Sequence, residues 1–177
     1  MDKRIRAALH AVKRLIYGLA LLVLLFYLVL FATMTYQYTR DPVVDFDDAD
    51  VQYVFQWLHQ KPDASRMLNS YYPPANWAGD YEKIFALKLE QEVAAEIVTR
   101  TGVVRGDGIE GELKEAVAFA MFFTRDLSWF PSEEDILTAE YYLSPIRIVH
   151  QGGYPDSVHL VVVQPEQQIL YFVAAKM

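Results

Sequence analysis

The chain has 177 residues, 53% of them hydrophobic and 22% charged, with a formal net charge of −7 and no cysteine, which excludes a disulfide framework, a thiolate zinc site and a cysteine nucleophile. The charge is split: in the first forty residues Lys3, Arg4, Arg6, Lys13, Arg14 and Arg40 against Asp2 give +5, which leaves −12 on residues 41–177. So acidic a portion argues against nucleic-acid binding, which needs lysine and arginine clusters, and against flat adsorption on anionic lipid.

Residues 1–14 form a basic segment. The run from Leu15 to Thr33 then carries no charged side chain, and about 20 helical residues span the hydrocarbon core of a bilayer. A signal peptide has a shorter apolar core, about 7–15 residues, and a small-x-small cleavage site; Phe31-Ala32-Thr33-Met34 offers no such site. The expectation is an uncleaved transmembrane helix over residues 15–34, with the lipid bilayer as its partner. Lysine and arginine stay on the cytoplasmic side, so the N-terminus is expected in the cytoplasm and residues 47–177 outside it, at an inner membrane. Tyr17 falls at the inner edge of the run, Tyr36 and Tyr38 at the outer edge, where aromatic belts lie. Gly18 stands alone, without the G-x-x-x-G pair of a dimerising span. The absence of cysteine favours a bacterial envelope protein.

Residues 35–46 read as a connector, closed to helix by Asp41-Pro42 and short enough to keep the following domain near the membrane surface. A helix is expected from Asp48 to Gln60, capped by Asp47 or Asp48, with Val51, Val54, Phe55 and Leu58 on its buried face. A short helix over 63–70 and the loop Tyr71-Tyr72-Pro73-Pro74-Ala75-Asn76 follow. The stretch from Gly79 to Arg100 reads as a long helix, because Tyr81, Phe85, Leu89, Val93 and Ile97 recur at every fourth position; its segment Ile84-Phe85-Ala86-Leu87 also suits a strand. Gly106 and Gly108 mark a turn-rich connection. Further helices are expected over 109–123, burying Leu113, Val117, Ala120 and Met121, and from Ser132 to about Leu143.

The period then changes. Residues 145–151, 157–164 and 168–175 are rich in β-branched and aromatic residues and are separated by Gly152-Gly153-Tyr154-Pro155-Asp156 and by Pro165-Glu166. They predict a three-stranded antiparallel meander whose middle strand, with Val161-Val162-Val163, is covered on both faces. The fold class is therefore α+β, about four to five helices packed on one face of a C-terminal three-stranded sheet, all within residues 47–177.

Chemistry-bearing motifs are sparse. His150 and His159 flank the first hairpin, where they would face each other, and His59 ends the first helix; no H-E-x-x-H spacing supports zinc. The acidic run Asp45 to Asp50 lacks the calcium-loop pattern and reads as helix capping. Glu92, Glu96, Glu110, Glu112 and Glu115 have the spacing of solvated helix faces. There is no G-x-S-x-G elbow, and Gly102, Gly106, Gly108 and Gly111 form neither G-x-G-x-x-G nor a P-loop, so no nucleotide, cofactor or metal is expected. The residues resemble no known family. Aromatic clusters are the one unusual endowment, and Tyr71, Tyr72, Trp77, Trp129 and Phe130, next to proline in loops, are the candidate partner-binding residues. The expected function is a membrane-anchored envelope protein whose outer domain binds a protein partner as an accessory, assembly or structural component of a membrane complex. The alternatives are an envelope hydrolase acting on cell-wall glycan or peptide, with a glutamate meeting His150 or His159, a ligand-sensing domain, and a toxin-immunity protein.

Overall fold

A computed structural model describes residues 3–39, 48–73 and 79–177. The chain divides into two compact units, Met1–Asp41 and Pro42–Met177. The described residues of the first form one helix, α1 (Lys3–Thr39), longer at both ends than the apolar run that predicts it. Its stretch Lys13–Thr33 is long and apolar enough to cross a membrane, a property shared by membrane anchors and signal sequences. No side chain of that stretch is buried within the protein. The Thr33 hydroxyl donates to the carbonyls of Val29 (2.9 Å) and Leu30 (2.8 Å), which satisfies it without solvent.

The second unit is α+β, but its sheet has six antiparallel strands rather than three: β1 (Met67–Tyr71), β2 (Tyr81–Lys88), β3 (Val104–Arg105), β4 (Tyr142–Gln151), β5 (Tyr154–Gln164) and β6 (Ile169–Lys176), in the order β1-β2-β6-β5-β4-β3. The expected meander is its β4-β5-β6 part. Among the described residues this unit has three helices of seven or more residues, α2 (Ala49–Trp57), α3 (Gln91–Ile97) and α4 (Gly111–Thr124), and the four-residue α5 (Glu133–Ile136).

Three expectations fail for physical reasons. The long helix over 79–100 is β2 followed by α3. A spacing of four keeps residues on one face of a helix, and being a multiple of two it does the same in a strand. As a strand, Phe85 and Leu87 serve one core while Ile84 and Ala86 serve the other. The expected helix over 63–70 is a 3₁₀ turn and the edge strand β1, where pairing of Ser70 with Phe85 and Tyr71 with Ile84 outweighs local propensity. The last helix stops at Ile136 despite its complete Ser132/Asp135 capping box, and Tyr142 to Ser144 join β4. Pro145 is tolerated there because β3 pairs only with Tyr142 and Leu143, leaving the far side of Pro145 without a ladder partner.

Helices cover both faces of the sheet, not one. On one side Val51, Val54 and Phe55 of α2, its C-cap Leu58, and Ala94 and Ile97 of α3 pack on Phe85, Leu87, Val161, Val163, Leu170 and Phe172. On the other, Ala116, Val117 and Ala120 of α4 and Ile136 of α5 pack on Ile84, Val158, Leu160, Val162, Tyr171 and Val173. The valine run of β5 is thus shared between two cores, as a strand covered on both faces requires. The β4–β5 turn is Gly152-Gly153, both at positive φ, so β5 begins at Tyr154, earlier than the sequence suggests.

Candidate functional site

Two arrangements gather polar or aromatic groups beyond what packing requires. The first is a polar cluster at the start of α2. Asp48 is its N-cap, its carboxylate accepting from the Asp50 amide at 2.9 Å. Lys83 on β2 donates to Asp48 (2.6 Å) and Asp50 (2.8 Å). His159 on β5 has Nε2 at 2.8 Å from the Tyr81 hydroxyl and Nδ1 at 3.7 Å from Asp50. The sheet register makes room for this: Lys83 and His159 both pair with Ala174 of β6, whose methyl group lies between them.

Burial would raise the Asp48 carboxyl, but the Lys83 ammonium and the Asp50 amide outweigh it and hold it below the ordinary carboxylate range. Burial likewise opposes the charge on Lys83, and its two carboxylates reverse that and raise it. His159 is pushed down by burial, against the pull of Asp50 and with help from Arg147 and Lys83. The cluster ties α2 to two strands, β2 and β5, and its lysine occupies the place a metal would take between Asp48 and Asp50. No group of metal-binding side chains is present among the described residues. Asp45 and Asp47 lie outside those residues.

The second arrangement is a groove of about 310 Å³ between the end of β1, the start of β2 and the C-terminal end of α4. Tyr71, Phe122, Phe123 and Leu127 give it an aromatic and apolar lining; Glu82, Arg125 and Asp126 give it charge. Phe122 is 53% exposed and Tyr71 36%. Arg125 lies over the Phe122 ring, 5.0 Å from its centroid, and 3.7 Å from Asp126. No described residue pairs with the Glu82 carboxylate, and burial raises its pKa. The Tyr71 phenol is raised by burial, then by Glu82 and Asp126, so both carboxylates act on it. A second pocket of about 410 Å³, lined by Met121, Thr124, Phe130 and Pro131, shares Arg125 and Leu127 with the first.

The candidate residues named from sequence separate. Tyr71 lines the groove. Tyr72, the next residue along an extended chain, belongs to the opposite core, stacked on Phe85 at 6.4 Å. Trp129 packs against the α4-side core, and Phe130 is buried in it, edge-on to Tyr171. Trp77 lies outside the described residues. His150 and His159 do not face each other: the register pairs His150 with Pro155 and His159 with Arg147. His150 instead lies 3.5 Å from Glu112 at the surface. Glu92, Glu96, Glu110, Glu112 and Glu115 are all exposed. Sequence reasoning missed Glu82 and Lys83 because a helical reading of 79–100 places them on one solvated side, whereas a strand sends them to opposite faces.

Comparison with family models, curated proteins and solved structures yields no match in any of the three.

Proposed function

We propose that this chain is a single-pass envelope protein of the inner membrane, with residues 1–14 in the cytoplasm and the α+β domain outside it, and that the domain binds a protein partner as an accessory, assembly or structural component of a membrane complex. The observation that carries the binding reading is the groove at β1, where two exposed aromatic residues, Tyr71 and Phe122, flank the Glu82 carboxylate, which has no partner among the described residues. Aromatic residues in such settings dominate binding hot spots. The direction of the anchor rests on the basic flank before the apolar run, and an anchor raises the effective concentration of the domain at a membrane partner. Crosslinked pull-down of the full-length protein tagged at Met177, from solubilised membranes, tests the reading. A single stoichiometric envelope protein is expected, and its recovery falls in the Tyr71→Ala/Phe122→Ala variant. Recovery of background proteins alone refutes it.

A second reading, the envelope hydrolase, draws on the line Asp50–His159–Tyr81, a carboxylate, an imidazole and a phenol in sequence. It predicts that His159→Gln abolishes cellular function while the folded domain persists by circular dichroism. Full function in that variant disposes of it.

A further inference from the structure

We propose that the Tyr71–Phe122 groove takes a basic side chain, lysine or arginine, of a partner protein, its cation set against the aromatic rings and paired with Glu82. The proposal deepens the partner-binding reading above and rests on it.

Three observations point to a cation. The groove contains two carboxylates, Glu82 and Asp126, and one guanidinium, that of Arg125. Arg125 is engaged by the Phe122 ring and Asp126, and Glu82 has no partner among the described residues. Second, α4 ends here, and the C-terminal end of a helix carries partial negative charge. Third, Tyr71, Phe123 and the face of Phe122 turned away from Arg125 supply π surface, which attracts ammonium and guanidinium groups. Together these features form an aromatic wall with one half-buried carboxylate, Glu82, within the groove and a second, Asp126, on its exposed rim. The same features disfavour other occupants. An anion meets Glu82, Asp126 and the helix end. A purely apolar side chain covers Glu82 without pairing it, which strands a charge away from water. The −12 carried by residues 41–177 steers a basic surface toward the domain at long range.

No contact among the described residues requires Glu82 to be ionisable. It sits on β2 opposite Ala175 of β6, half-buried, where a glutamine or threonine satisfies the strand equally well. A carboxylate kept partly desolvated and unpaired gains its partner only when another molecule supplies one, and a charge-assisted hydrogen bond formed there is stronger than one on an open surface.

Two measurements on the full-length protein test this. In nanodiscs, its aromatic resonances are followed by NMR while Nα-acetyl-lysine amide, Nα-acetyl-arginine amide or, as the neutral control, Nα-acetyl-glutamine amide is added. Saturable shifts at Tyr71 and Phe122 are expected with the two cations in the millimolar range, weakened about tenfold or more by Glu82→Gln, and none with the glutamine amide. Absence of shifts, or equal shifts with all three, overturns the proposal. In membranes, the pull-down is repeated with Glu82→Gln and Glu82→Lys. Loss of the partner in both, with recovery when a basic residue of the partner is changed to glutamate against Glu82→Lys, supports it. A partner captured equally by all variants overturns the groove but leaves the partner reading standing. Cation binding in nanodiscs with no partner in membranes overturns the partner reading, and with it a partner's side chain as the occupant of the groove.

Discussion

The hydroxyl of Tyr72 is buried with no hydrogen-bond partner among the described residues, and its ionisation is suppressed by burial and then by Asp48 and Asp50. An unmade buried hydrogen bond costs about 1–3 kcal/mol, so Tyr72→Phe, which keeps the stack on Phe85, is expected to stabilise the domain by up to about 1 kcal/mol; a lower melting temperature in this variant contradicts that. Glu82→Gln is likewise expected to raise the melting temperature slightly at neutral pH, since partial burial disfavours its charge. A residue that costs stability yet binds is the signature of a functional position, and a destabilised Glu82→Gln assigns Glu82 to the fold instead. His159 has the opposite pH sense. Its folded-state pKa lies below the usual 6.5, so on acidification the unfolded chain takes up the proton first. Stability is then lost as the pH falls from about 6.5. Asp48, held below its usual 3.8, adds stability that is complete above that value and lost further into acid. Melting curves between about pH 8 and pH 5 are expected to shift downward for the native protein and to flatten for His159→Gln.

At the scale of elements, the close approach of β3 to the turn after α5 depends on Gly106. Its amide donates to Tyr141 at 2.8 Å, and an added Cβ runs into the backbone carbonyls of Ile136 and Thr138. Gly106→Ala is therefore expected to cost about 1–3 kcal/mol, read as a fall in the denaturant midpoint. Ala174→Leu is expected to cost a similar amount by wedging Lys83 from His159, and a neutral result removes the polar cluster as a fastener of α2. Both positions also show what sequence carries. α2, α4 and the three C-terminal strands were legible because their periods are unambiguous: the i, i+3, i+4, i+7 face of Val51 to Leu58, and β-rich runs bounded by Gly152-Gly153 and Pro165. β2 was not, because Tyr81, Phe85 and Leu89 satisfy both periods. With β2 read as helix, nothing links Lys83 to His159, seventy-six residues on, and neither the groove nor the cluster can be assembled. Tyr71 could be picked out as an aromatic beside proline, but its carboxylate neighbour could not.

At the scale of the molecule, the residues of both hydrophobic cores lie within Pro42–Met177. Deletion of residues 2–33 is expected to leave a folded domain with native circular dichroism but to abolish cellular function, since the proposed role needs the anchor; full activity without it sinks that role. The strand order has a further effect, on timing. β2 pairs along its whole length with β6, and Lys88 meets Ile169, 81 residues later. During synthesis β1 and β2 leave the ribosome long before the strand that separates β2 from β5, and until β6 arrives neither core can close. Contacts so distant along the chain slow folding. A chain whose α1 enters the membrane first would therefore hold an unfinished sheet, with an open edge on β2, throughout the making of the remaining domain. Such an edge is a template for aggregation, and the acidic excess of these same residues, by mutual repulsion, is a means of keeping neighbouring nascent chains apart.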